Sequence, residues 1–243
     1  MNKIISIVSG KGGVGKTTFV SNLILALSIK FNKKILVIDM DIGNLFLSLG
    51  LKEHNFNVDL IDTLEDNTKL SSAIYNFRKN LYFLGLNDRN ILKTIPNDTF
   101  SIFMNKLKTK FDYIILDVGA GINENFKKSI YVSDLSIVII DSTMLSYKIS
   151  EKTVKKMKEI NNKLNAYLVI NKYDIELAKK GILISKDDVI KSFKVPLIGV
   201  VPYNIKNITF LNKGIPYYLN KDDDTFYTIY NKIANRIIEK SNY

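Results

Sequence analysis

The chain has 243 residues, 46% of them hydrophobic, and a formal net charge of +11 from 35 basic and 24 acidic side chains. That length and apolar share suit one large α/β unit. No Pro/Gly/Ser-rich linker, repeat or low-complexity block divides it, so it reads as a single domain over residues 1–243. It has no cysteine and one histidine, His54, which excludes disulfides, thiolate metal sites, His-based triads and multi-histidine metal centres.

The opening residues, Met1-Asn2-Lys3-Ile4, lack the charged-then-apolar pattern of a secretory segment. No apolar run approaches the roughly 20 residues that span a bilayer, so a cytoplasmic location is expected. The run Ile4–Val8 then leads straight into Gly10-Lys11-Gly12-Gly13-Val14-Gly15-Lys16-Thr17-Thr18. This is a G-x-x-x-x-G-K-T loop between a strand and a helical pattern over Thr17–Phe31. Gly12, Gly13 and Gly15 permit backbone conformations that a side chain forbids, so the loop can turn its N–H groups around phosphate oxygens. Lys16 supplies a point charge to the β- and γ-phosphates, and the Thr17 hydroxyl suits Mg²⁺. The helix that begins here presents its positive dipole end to the same anion. Gly12, Gly13, Val14, Gly15, Lys16, Thr17 and Thr18 are thus the nucleotide-binding stretch.

Further apolar runs follow at Ile35–Ile38, Leu81–Leu84, Tyr113–Leu116, Ser136–Ile140, Ala166–Ile170 and Leu197–Val201. Helical patterns alternate with them at Ser71–Lys79, Thr99–Lys110, Ser146–Leu164, Lys186–Phe193 and Thr225–Lys240. Near-continuous apolar strands alternating with helices predict an α/β fold with a mostly parallel twisted sheet and helices on both faces. Ligands in such folds sit at the carboxyl ends of the strands, where three polar groups fall. Asp39-Met40-Asp41-Ile42-Gly43 closes one run and Asp117-Val118-Gly119-Ala120-Gly121 another. An aspartate after four apolar strand residues is the Walker B arrangement, so Asp117 is placed to hold Mg²⁺ through water. The third group is Asn171-Lys172-Tyr173-Asp174, in which one side-chain amide can both donate to and accept from a purine edge. Asp39, Asp41 and Asn171 are also residue types that form turns.

The loop Lys11-Gly12-Gly13-Val14-Gly15-Lys16-Thr17-Thr18 resembles the deviant Walker A loop of the MinD/ParA family of ATPases. Gly181-Ile182-Leu183-Ile184-Ser185-Lys186-Asp187-Asp188-Val189, then Val195-Pro196-Leu197-Ile198-Gly199-Val200-Val201-Pro202 and Gly214-Ile215-Pro216, resemble the late segment of MinD-like members. The likeness runs from about Lys3 to Lys240 and is more specific than the phosphate loop alone. It implies a P-loop NTPase of the SIMIBI class that binds ATP and Mg²⁺ and hydrolyses ATP to ADP and phosphate. It also implies an ATP-sandwich homodimer in which Lys11 reaches the partner's nucleotide.

By the same resemblance Lys11, Lys16 and Asp39 are catalytic, with Asp39 orienting the attacking water, and Thr17, Asp39 and Asp117 lie on the metal side. Asn171 contacts adenine, and Pro202 and Tyr203 lie beside the base. The implied role is spatial regulation of the MinD or FlhG type, for division-site or flagellar placement, with a protein activator or effector and peripheral contact at the inner face of the membrane. Gly119-Ala120-Gly121 is similar to FlhG-type relatives. The alternative is a ParA-type segregation ATPase that binds DNA non-specifically. The basic charge keeps that alternative in view, although it is dispersed, with Lys155-Lys156-Met157-Lys158 among its largest clusters. The missing cysteines exclude the nitrogenase iron protein and the iron–sulfur carriers that share the loop.

Three features depart from the family's pattern. Asp141-Ser142-Thr143 stands where many MinD-like proteins have Thr-Pro-Glu, and the sequence assigns it no role. The first switch, Asp41-Ile42-Gly43-Asn44-Leu45, looks short. Near the end, Phe226, Tyr230, Ile233 and Ile237 recur at helical spacing and read as a core-packing face rather than a membrane face.

Overall fold

The computed structural model describes the chain apart from residues 1, 42–43, 52–57, 88–90, 221 and 242–243. His54, two residues of the first switch and the terminal Tyr243 therefore lie outside the described residues.

The strand β1 (Lys3–Val8) is apolar on both sides, as a central parallel strand must be. Ile5 and Ile7 face one core and Ile4 and Val8 the other, following the two-residue alternation of a strand. On one side β1 pairs in parallel with β5 (Tyr113–Asp117), and β5 with β2 (Ile35–Asp39). On the other side it pairs with β6 (Leu135–Ile140), followed by β7 (Asn165–Tyr173) and β8 (Leu197–Pro202). With β4 (Leu81–Leu84) beside β2 and β3 (Tyr75–Arg78) at the edge, the sheet order is β3-β4-β2-β5-β1-β6-β7-β8. Only β3 runs antiparallel among these pairs.

One face of the sheet is covered by α1 (Lys16–Leu25), α2 (Asn44–Ser48) and α11 (Asp224–Ser241), through Phe19, Leu23, Leu45, Phe46, Phe226 and Tyr230. The π-helical turn Ala26–Lys30 extends α1. The stripe Phe226, Tyr230, Ile233 and Ile237 is buried in this core, as its spacing predicts. The other face carries α3 (Leu60–Glu65), α4 (Leu70–Ala73), α5 (Asn97–Lys108), α6 (Glu124–Val132), α7 (Met144–Ile160) and α9 (Lys186–Ser192). Two short helices, α8 (Ile175–Lys179) and α10 (Lys206–Asn212), follow β7 and β8 and bury no residue of their own. Among the described residues no helix is long and apolar enough to cross a membrane.

Several elements differ from the sequence expectation, which marks no helix at α2, α3, α6, α8 or α10 and no strand at β3. The segment Ser71–Lys79 is not one helix. It ends as α4 at Ala73 and continues as the edge strand β3, which turns back into β4 through Lys79-Asn80. Asn80 adopts φ +63°, a left-handed conformation that asparagine tolerates in a tight turn. Pairing with β4 overrides the helical spacing. Conversely, α6 has Phe126 and Ile130 at helical spacing, but Asn125, Lys128 and Ser129 share its buried side and dilute the apolar signal. Its start is marked by Asn123, whose side chain accepts the Phe126 amide at 2.9 Å.

Gly50, just beyond α2, and Gly214, just beyond α10, meet backbone to backbone. Both are left-handed, at φ +67° and +64°. A Cβ on Gly50 would lie 2.4 Å from the Gly214 carbonyl oxygen, and one on Gly214 would lie 2.6 Å from the Gly50 Cα. Only glycine fits either place.

Candidate functional site

The loop between β1 and α1 sits at the carboxyl edge of the sheet, next to the ends of β5 and β7. Gly13 and Gly15 take φ +77° and +86°, whereas Gly12 is not in the left-handed region. The loop is tied to β7 from the side. The Asn171 amide nitrogen donates to the Val14 carbonyl at 2.8 Å, and Lys172 Nζ donates to the Gly13 carbonyl at 2.7 Å. Glycine suits position 15 because φ +86° strains a side-chain-bearing residue, and a Cβ there would also displace the Asn171 amide 2.5 Å away. Lys172 itself holds φ +54°, unusual for a side-chain-bearing residue. Sequence reasoning missed Lys172. Its only signal was its place next to Asn171 at a strand end.

Lys16 Nζ lies 2.7 Å from Asp117 Oδ1, with the lysine side chain 7% exposed and the aspartate 0%. The second oxygen, Asp117 Oδ2, is buried without a hydrogen-bond partner among the described residues. Burial raises the Asp117 carboxyl, while Lys16 and the neighbouring Thr17 hydroxyl oppose that rise. Asp39 is the register partner of Asp117 across β2 and β5. Its Oδ1 accepts the Asp41 amide at 2.9 Å and its Oδ2 the Leu45 amide at 3.1 Å. Burial, and then the charge of Asp117, push Asp39 up to about 7. Asp41 lies against the loop after β5, where a Cβ on Gly119 would stand 2.8 Å from Asp41 Oδ1.

Lys16, Asp41, Asn171 and Lys172 border two adjoining cavities, with Asp117 and Asp39 buried behind Lys16. The larger, about 440 Å³, is lined by residues 12–18 together with Ser9, Asp41, Leu47, Ser48, Ala120 and Leu211. The smaller, about 140 Å³, is lined by Asn171, Lys172, Pro202, Tyr203, Asn204, Asn207 and Ile208, and shares Gly15, Thr18 and Leu211 with the first. The first has the glycine loop and lysine of a phosphate cradle. The second combines apolar and ring-bearing side chains with asparagine amides, a lining that suits a base. Leu211, between the two, carried no signal in the sequence. The donor set fits Mg²⁺: an orphaned carboxylate oxygen on Asp117, with Thr17 and Asp39 beside it, all hard oxygen ligands. Among the described residues no group of three or more His, Cys, Asp or Glu could hold a metal alone. A cation here would therefore share its shell with phosphate and water, as Mg²⁺ commonly does.

Lys11, which the family resemblance directs to a partner's nucleotide, is engaged within its own chain. Its Nζ lies 3.1 Å from Asp141 Oδ2 and 3.5 Å from Thr143 Oγ1 of the same chain. The segment to which the sequence assigned no role thus holds one of the expected catalytic lysines.

A family model described as an AAA domain matches residues 2–170. The septum site-determining protein MinD of Helicobacter pylori is 33% identical over 97% of this chain and 90% of its own length. Among solved structures, MinD in a MinC:MinD complex from Aquifex aeolicus superposes with a TM-score of 0.86 at 28% identity, covering 98% of this chain and 96% of that one. MinD from Pyrococcus horikoshii, complexed with Mg-ADP, superposes at 0.83 with 27% identity, covering 99% of this chain and 98% of that one. With a matching family model over most of the chain, this identity over nearly its full length and these superpositions, the chain belongs to the MinD/ParA family of P-loop ATPases, among its MinD-type members.

Proposed function

We propose that this protein is an ATP-dependent dimerising spatial regulator of the MinD type, one domain over residues 1–243, whose Mg²⁺-dependent hydrolysis of ATP resets its interaction with a protein effector. The observation that carries this reading is the buried Lys16–Asp117 pair beside Asp39, with Lys16 in the wall of the larger cavity. When phosphate enters, Lys16 exchanges Asp117 for the β- and γ-phosphate oxygens, and Thr17 with the released carboxylate would hold Mg²⁺. Loop N–H groups from Gly12 to Thr18 hold the phosphates, and the α1 dipole favours the same charge. Asp39 orients the attacking water, its carboxylate fixed by the Asp41 and Leu45 amides. Mg²⁺ supplies charge neutralisation for the transferring phosphoryl group.

Adenine occupies the smaller cavity. Because Asn171 spends its amide N–H on Val14, its oxygen remains as the acceptor for the exocyclic amine of adenine. Pro202 and Tyr203 flank the ring. Dimerisation is supported by the exposed apolar side chains that ring the carboxyl edge: Leu47 after β2, Ile122 after β5, Met144 and Leu145 after β6, and Ile205 and Leu211 after β8. A partner's copy of this edge would cover them and bring its Lys11 to the phosphates.

The test is light scattering of Asp39→Ala with and without ATP. A dimer only with ATP is expected; a monomer at saturating ATP would sink the reading. Co-sedimentation of that ATP-locked protein with anionic vesicles and, separately, with duplex DNA then separates a membrane-directed regulator from a segregation ATPase. Vesicle binding is expected, and DNA binding alone would favour the second.

A further inference from the structure

We propose that Asp141 is a positioning residue that holds Lys11 in its own subunit, so that Lys11 is released to a partner's nucleotide only by exchanging this carboxylate for phosphate. The inference rests on the dimer reading above and adds a step to it.

The carboxylate is built to receive the lysine. Asp141 Oδ1 is occupied by the Thr143 amide at 3.0 Å and the Thr143 hydroxyl at 2.5 Å. That leaves Oδ2 directed at Lys11 Nζ, 3.1 Å away. The turn is fixed from behind. The Asp141 amide donates to Ser146 Oγ at 3.1 Å, Thr143 Oγ1 caps α7 by accepting the Ser146 amide at 3.2 Å, and the Ser142 carbonyl accepts the Ile184 amide at 3.0 Å. The carboxylate therefore loses little freedom when it takes the lysine. The pair is also partly shielded, with side chains 30% and 15% exposed. Burial by itself would raise the Asp141 carboxyl, but Thr143 and Lys11 together hold it below the usual carboxylate range, so it stays charged at neutral pH.

Lys11 lies in the phosphate loop, only two residues from Gly13, yet its charge is directed sideways to the β6 end rather than into its own cavity. A lysine parked in this way does not compete with Lys16 for the chain's own phosphates. Nor can it serve a partner without giving up Asp141. Met144 and Leu145, exposed at the start of α7, place the latch beside the apolar rim a second copy would cover. Docking and release are thereby tied to one spot.

The experiment is amine acylation of the nucleotide-free protein, with Lys11 quantified by peptide mass spectrometry, alongside the protein concentration needed for half-maximal ATP-driven dimerisation. Labelling is measured for wild type and Asp141→Asn, and dimerisation for these two, for Lys11→Ala, and for Asp141→Asn combined with Lys11→Ala. Asparagine keeps the shape and one acceptor for Thr143. Asp141→Asn should label faster at Lys11 by about two- to fivefold, the scale of a part-exposed ion pair. It should also dimerise at a correspondingly lower concentration than wild type. In the Lys11→Ala background, relative to Lys11→Ala alone, Asp141→Asn should leave that concentration unchanged. Equal labelling of Lys11 in wild type and Asp141→Asn overturns the latch. So does a change in dimerisation that persists without Lys11. Absence of an ATP-driven dimer in every protein, with the labelling contrast intact, overturns the dimer reading and with it the role of the latch.

Discussion

Asp39 and Asp117 stand opposite each other as the last register pair of β2 and β5, and the Met40 amide locks the ends together by donating to the Asp117 carbonyl at 2.9 Å. Two carboxylates in one dry place cannot both ionise cheaply. Lys16 neutralises Asp117, so Asp39 bears the cost.

The first prediction follows from that arrangement. Asp39 titrates at 3.8 when exposed and at about 7 in the fold. A raised acid contributes stability that is fully present below the unfolded value and is lost as pH rises through the folded one. The melting temperature of the nucleotide-free protein should fall between about pH 4 and pH 7, with an upper bound of about 4 kcal/mol. Asp39→Asn should flatten that dependence. Calorimetry across the range checks it, and an unchanged slope in the variant would place the pH dependence elsewhere.

Lys16→Ala should weaken ATP binding by about 100-fold, the loss of charge-assisted bonds to two phosphates, while the chain still folds. It also leaves Asp117 buried with no counter-charge, so the variant's stability should drop more at alkaline than at acidic pH. Undiminished affinity in a folded variant would contradict the assignment.

Asn171→Ala removes a 2.8 Å bond to the phosphate loop as well as the acceptor proposed for the base. ATP affinity should fall about fivefold from the first loss, and the preference for ATP over GTP should narrow from the second. Titration with both nucleotides separates these effects. Weaker binding with unchanged preference would make Asn171 a loop tether alone.

Lys11→Ala should retain ATP binding but lose hydrolysis by about 10³-fold or more, the scale of a charge supplied across an interface to phosphoryl transfer. Mixing it with Asp39→Ala gives a dimer with one intact composite site, in which the Lys11→Ala subunit keeps Asp39 and receives Lys11 from its partner. Phosphate release should reappear in the mixture. No recovery in demonstrated mixed dimers means that Lys11 acts within its own chain.

Much of this was legible in the residues. The apolar runs give seven strands of the sheet, and the phosphate loop and both strand-end aspartates land together, because strand ends and glycine turns leave local marks. What stayed hidden depends on the assembled fold. Lys172 matters through a reach to Gly13 across 159 positions, and Asp141 through one to Lys11 across 130. Neither distance leaves a pattern in the chain. The edge strand β3 was masked by its helical spacing, and α6 by the polar residues it buries.

The Gly50–Gly214 contact joins the two ends of the site. Gly50 follows α2, whose Leu47 and Ser48 wall the phosphate cavity, and Gly214 follows α10, whose Leu211 borders both cavities. Side chains in contact can yield by changing rotamer, but two touching backbones have no such give. Any shift of α2 toward α10 is therefore handed on undamped, and the joint works as a rigid pivot between the phosphate and the base. A single methyl group at either glycine would pry the halves of the nucleotide site apart.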